Sequence, residues 1–61
     1  MSAKQQISAL VTEAERKIAD TRELIEIMEM AGEDLTDEKK TLAELDARVA
    51  RYRAALNGLG R

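Results

Sequence analysis

The 61-residue sequence has no cysteine, no histidine and no proline, and its only aromatic residue is Tyr52. Disulfides are therefore excluded, and the usual zinc ligands are missing. The commonest general base and the thiol nucleophile are missing as well. We therefore expect a protein that is not an enzyme and that holds no metal and no cofactor.

Long apolar runs are also missing. No stretch is long and apolar enough to span a bilayer, and no signal-peptide pattern is present, so we expect a cytoplasmic protein with no membrane partner. Alanine, leucine and charged residues dominate the sequence, which is typical of long helices and coiled coils. A single domain of this size buries little surface, and oligomerisation is the stabilising device that remains.

Apolar or small residues recur through the first half of the chain at spacings of four and three residues. Ser2 and Gln5 have the spacing of a capping box at the start of a helix, and Gly32 fits the left-handed position that ends one. The pattern predicts helix 1 over about residues 3–31. Its heptad has Val11, Ile18 and Ile25 at position a, Ile7, Ala14, Thr21 and Met28 at d, and Leu10 and Leu24 at g.

The second half repeats this pattern over a shorter length. Thr36 is the expected N-cap, so the turn covers residues 32–36 and helix 2 about 37–57, with Gly58 as its cap and a tail over 58–61. Such a short connection folds helix 2 back on helix 1. The prediction is one all-α domain over 1–61, a helix-turn-helix hairpin. Its core or dimer seam is Ile7, Leu10, Val11, Ile18, Leu24, Ile25, Met28, Leu42, Leu45, Val49, Tyr52 and Leu56.

Charge divides along the chain although the net value is only −2. Residues 20–38 carry eight acids and one base, whereas residues 48–61 carry four arginines and no acid. The hairpin would therefore have an acidic turn and a basic open end. We expect two copies to pack antiparallel as a homodimer, a four-helix bundle, because parallel packing would bring like charges together.

Apolar residues before the turn exceed what the seam requires. Ile27 and Met30 fall at heptad positions c and f, outside the a/d/g face. Either the turn or a dimer partner covers them, or they bind another protein. In the second case the contact surface would be Ile27 and Met30 with Glu23, Glu26, Glu29 and Glu33, and the partner would be basic around an apolar surface.

The leading hypothesis is a regulatory protein-binding module, such as an inhibitor, an anti-activator or an adaptor of bacterial or phage type. In size and outline the hairpin resembles the plasmid copy-control protein Rop, but helix 1 has no matching basic and aromatic recognition face. The first alternative is a Rop-like nucleic-acid-binding hairpin that uses Arg48, Arg51 and Arg53 at the open end. The second alternative is a structural coiled-coil element with no partner.

Overall fold

The computed structural model describes residues 2–59. They form two helices, α1 (Ala3–Met30) and α2 (Thr36–Leu59), which pack against each other as a hairpin 46 Å long. The predicted all-helical hairpin is confirmed. Met1 lies outside the described residues, as do Gly60 and Arg61 at the end of the predicted tail.

The capping box at the start of α1 has the predicted partners. The Ser2 hydroxyl accepts a hydrogen bond from the Gln5 backbone at 3.2 Å, and the Gln5 side chain accepts one from the Ser2 backbone at 3.1 Å. Two of the backbone donors that a helix start leaves unpaired are thus satisfied. The predicted start of α1 is confirmed.

Gly32 ends α1 in the left-handed conformation, with a φ of +98°. Its backbone N–H donates to the Glu29 carbonyl at 2.9 Å, and the Glu33 N–H donates to the Met28 carbonyl at 3.2 Å. These two bonds are those of a Schellman motif, which satisfies the last carbonyls of a helix. The last residue of α1 is Met30, one position before the expected end.

The start of α2 differs from the prediction that Thr36 is the N-cap. Thr36 is the first helical residue, and the Leu35 carbonyl accepts from Lys39 at 2.9 Å. The capping oxygen belongs to Asp34, whose Oδ1 accepts from the Thr36 backbone at 3.1 Å and from its hydroxyl at 2.7 Å. These bonds lower the pKa of Asp34. Gly58 does not end α2, which continues through it to Leu59.

The buried core is a single row of side chains between the helices. Val11 and Ile18 at position a pack with Val49 and Leu56 of α2, and Ile25, also at position a, is buried nearer the turn. Within residues 2–59 no side chain is fully enclosed. One helix therefore covers only part of the apolar stripe that the heptad creates.

Candidate functional site

Ion pairs join the two helices along one side of the hairpin. Their members are spaced by one heptad on each helix, in opposite directions. The three pairs are Glu15–Arg53 at 2.8 Å, Arg22–Asp46 at 3.0 Å and Glu29–Lys39 at 3.0 Å. We call this set the ion-pair ladder. All three members on α1 lie at heptad position e.

The ladder alternates in sign, and this alternation fixes the register of the hairpin. On α1 the order is acid, base, acid, and on α2 the facing residues are base, acid, base. A slip of one heptad would put Glu15 beside Asp46 and Arg22 beside Lys39. Exposed pairs contribute little stability each, but like charges in contact disfavour the slipped arrangement.

Arg53 makes the most contacts in the ladder. Its guanidinium donates to both Glu15 carboxylate oxygens, at 2.8 and 3.2 Å, and to the Thr12 hydroxyl at 3.0 Å. The hydrogen bond lowers the pKa of Glu15 and raises that of Arg53. The Arg53 side chain is only 32% exposed, so it belongs to the helix interface.

The opposite side of the hairpin is open and apolar. A groove of about 610 Å³ runs there from the middle of the hairpin to the turn. Lys17, Asp37 and Glu38 supply its charged groups. The rest of the lining is Ala14, Ile18, Thr21, Ile25, Met28, Leu35, Thr41, Leu42 and Leu45. We call this surface the apolar groove.

Large apolar side chains continue this open side toward the ends of the helices. Leu10 lies one heptad before Lys17, and Tyr52 lies one heptad after Leu45. Because Lys17 and Leu45 line the groove, Leu10 and Tyr52 lie on the same side of the hairpin as the groove. Leu10 is 69% exposed and Tyr52 is 54% exposed. Ile7 and Leu59 are exposed on the same side near the open end, and Leu24 nearer the turn. The side opposite the ladder is thus largely apolar, and Lys17, Asp37 and Glu38 are the charged groups of its groove.

Of the twelve predicted seam residues, one row is buried between the helices and another lies on the open side. The buried members are Val11, Ile18, Ile25, Val49 and Leu56; Met28 and Leu42 are half-buried, and Ile7, Leu10, Leu24, Leu45 and Tyr52 are exposed. The heptad could not separate these two rows, because both have the same spacing.

Ile27 and Met30 lie on the outer face of α1, and the turn does not cover them. Ile27 is 61% exposed and Met30 is 87% exposed, while Leu35 is the turn residue that is buried. The predicted rim residues Glu23, Glu26, Glu29 and Glu33 are exposed as well, with Glu29 held by Lys39. We call Ile27, Met30 and these four glutamates the turn patch.

The three arginines of the nucleic-acid hypothesis do not share one environment. Arg48 and Arg51 are exposed, whereas Arg53 is half-buried in the ladder. On a helix, residues three apart share a face and residues two apart do not. Arg53 therefore points away from Arg51, and α2 offers two arginines on one face instead of three.

Neither helix of the described chain is long and apolar enough to cross a membrane. Residues 2–59 bring together no group of three acidic side chains that could hold a metal ion. Comparison of the chain with protein-family models, with curated proteins and with solved structures found no match.

The sequence reasoning missed the ladder and the cap at Asp34. The signal for the ladder was present: charges of alternating sign stand one heptad apart at Glu15, Arg22 and Glu29. Facing charges on α2 complete it once the hairpin is assumed. For the cap, an aspartate two residues before a threonine is a common local turn, and it competes with threonine itself as the capping group.

Proposed function

We propose that this chain is a small, non-enzymatic protein-interaction module that pairs with a second copy of itself and presents the turn patch to another protein. The observation that carries the proposal is that exposed apolar side chains extend beyond the groove side onto the outer face of α1. The apolar groove lies on the d/g side of α1, whereas Ile27 and Met30 lie at positions c and f. Met30 at position f faces away from the groove and stays accessible when the groove side is covered, whereas Ile27, three residues after Leu24, borders the groove side.

The groove side is the dimer surface in this proposal. Contiguous apolar surface of this kind is uncommon on monomeric proteins and marks interaction sites. The buried row between the helices is narrow, so a hairpin of this size gains stability when a second apolar face covers the first. Two hairpins joined through their groove sides form a four-helix bundle.

Charge supports an antiparallel arrangement of the two copies. The turn half of the hairpin is strongly acidic, whereas residues 48–61 carry four arginines and no acid. In antiparallel packing each acidic turn lies beside the basic open end of the other copy. Parallel packing would place the two acidic turns together. Like charges repel each other at ordinary salt when they are within about 8–10 Å, the distance over which salt screens them.

The turn patch determines the chemistry of the proposed partner. Ile27 and the flexible Met30 suit an adaptable apolar contact, and the glutamates around them favour a partner whose apolar surface has a basic rim. An antiparallel dimer has one turn at each end and therefore presents two such patches. A module of this form would act as an inhibitor, an anti-activator or an adaptor.

The experiment is affinity capture from a bacterial lysate with matched variants of the immobilised protein. We expect the double variant Ile27→Ser and Met30→Ser to lose a protein that the unaltered chain retains. The control is Ala9→Ser, at the same heptad position as Met30 but far from the turn, and it should retain that protein. Circular dichroism and sedimentation should show unchanged helix content and oligomeric state for both variants.

The outcomes separate the proposal from its alternatives. If the double variant unfolds or changes its oligomeric state, Ile27 and Met30 are structural. If no protein depends on them, the chain is better described as a structural coiled-coil element. A salt-dependent gel shift that requires Arg48 and Arg51 would instead favour nucleic-acid binding.

A further inference from the structure

The apolar groove and the exposed side chains of the open side fit each other when two copies are considered. We propose that the second copy fills the groove in an arrangement where α1 packs on α1 and α2 packs on α2. Leu10 then meets Leu24 of the second copy, and Tyr52 meets Leu45 of the second copy. This inference rests on the proposed homodimer and specifies its geometry.

Symmetry restricts how two groove sides can face each other. Hairpins that join through the same side and run in opposite directions are related by a two-fold axis that crosses the helices. That axis places each helix on its own counterpart. In a parallel dimer the axis would run along the helices and place α1 on α2. The choice of helix partner therefore reports the orientation.

The positions of the apolar residues agree with a single two-fold axis. Counted from the turn at about 1.5 Å per residue, Leu10 lies about 30 Å and Leu24 about 9 Å along α1. Their midpoint is about 20 Å from the turn, by the same rise. On α2, Tyr52 lies about 24 Å and Leu45 about 14 Å from the turn, with a midpoint at about 19 Å.

The two helices thus give axis positions within about 1 Å of each other at about 1.5 Å per residue, a few Å from the middle of a hairpin 46 Å long. An axis there overlaps the two copies over nearly their whole length. The large side chains Leu10 and Tyr52 then lie over the turn half of the second copy. There the groove is lined in part by the small side chains of Thr21 and Thr41, which leave room for them.

Lys17 occupies a special position in this arrangement. It lies at heptad position g midway between Leu10 and Leu24, and it lines the groove. The two-fold axis therefore brings Lys17 next to Lys17 of the second copy. The long aliphatic stem lets each ammonium group reach solvent at the edge of the interface. The contact between identical residues makes this position a sensitive reporter.

The native chain contains no cysteine, so single thiols can test the geometry directly. We expect Lys17→Cys to cross-link with itself on mild oxidation or with a short bifunctional thiol reagent. Leu10→Cys and Leu24→Cys should cross-link when mixed, and each should cross-link far less alone, because a disulfide needs α-carbons within about 7 Å. The control is Ala19→Cys, which lies at position b away from the groove side and should remain unlinked.

Sedimentation of the reduced variants tests the homodimer separately from the proposed packing of α1 on α1 and α2 on α2. A dimer in which Lys17→Cys does not self-link, or in which the Leu10 and Leu24 variants do not link on mixing, overturns this geometry and leaves the homodimer standing. Equal cross-linking of Ala19→Cys also overturns it, because random collision would explain the product. A monomer for the unaltered chain overturns the homodimer itself.

Discussion

Arg22 and Asp46 meet across the helix interface, with the guanidinium 3.0 Å from the carboxylate. This pair is the middle of the ion-pair ladder, and both side chains remain more than half exposed. An exposed pair of this kind contributes on the order of 0.2–1 kcal/mol. Its larger role is to exclude the wrong register, because the flanking pairs have the opposite polarity.

Reversing one charge of this pair should therefore be more harmful than removing it. We expect Arg22→Asp to lower the midpoint of thermal unfolding more than Arg22→Ala, because two carboxylates then face each other. Combining Arg22→Asp with Asp46→Arg should restore most of the loss. A double variant no more stable than Arg22→Asp would show that the pair does not form in solution.

The two described glycines should respond to alanine in opposite directions. Gly32 has a φ of +98°, where a side chain costs on the order of 1–2 kcal/mol, so Gly32→Ala should be destabilising. Gly58 is helical with nothing within 4 Å of an added methyl group, so Gly58→Ala should stabilise by up to about 1 kcal/mol. Chemical denaturation of both variants checks the signs. A stabilising Gly32→Ala would contradict the Schellman end of α1.

Ile18 and Ile27 form a matched pair for testing which side of α1 is packed. Ile18 is 4% exposed in the core and Ile27 is on the outer face. We expect Ile18→Ala to cost about 2–5 kcal/mol and Ile27→Ala to stay within roughly 0.5 kcal/mol of the unaltered protein. Denaturant titration of both variants measures the difference. Similar losses at the two positions would mean that Ile27 is covered in solution.

Acid should weaken the start of α2 through Asp34. Its pKa lies below the ordinary value of 3.8 because Thr36 donates two hydrogen bonds to it. A carboxyl group with a lowered folded-state pKa stabilises the protein above its unfolded-state pKa, and this contribution is lost as the pH falls through the folded-state pKa. The unaltered chain should therefore unfold at a higher temperature than Asp34→Asn at neutral pH.

The difference between these two proteins should shrink as the pH is lowered from neutral toward about 2, because the Asp34 carboxyl group becomes protonated as the pH falls through its folded-state pKa. Asparagine is a suitable comparison because its side-chain oxygen still accepts the Thr36 hydrogen bonds but does not titrate. Thermal melts of both proteins at both pH values measure the difference in unfolding temperature. A gap that persists unchanged in acid would show that the charge of Asp34 is not responsible.

The heptad is sufficient to predict the hairpin, because the apolar row on each helix depends only on the spacing of its residues. Val11, Ile18 and Ile25 recur every seven residues, and a helix places them on one row wherever the second helix packs. Gly32 was equally informative, since the left-handed conformation that ends a helix strongly favours glycine. These features are local, and the structure confirms them.

The heptad does not predict which apolar residues are buried in the core and which lie on the open side, because that depends on where α2 packs. Leu10 and Leu45 have the spacing of core residues, yet they are exposed in the hairpin. The ion-pair ladder shows which side of α1 is polar, and this places both residues on the opposite side, with Lys17 and the groove. Local sequence patterns also do not predict whether Ile27 and Met30 bind a partner, because the exposure of a side chain does not identify what binds to it.

The most direct test of the central proposal, that a second copy covers the groove side, is sedimentation equilibrium of the unaltered protein at micromolar concentration. The single chain has a mass of 6.8 kDa. The proposal predicts a species of twice that mass, and a shift toward the single-chain mass for Leu10→Glu, which buries a charge in the interface. A species of 6.8 kDa for the unaltered chain would contradict it.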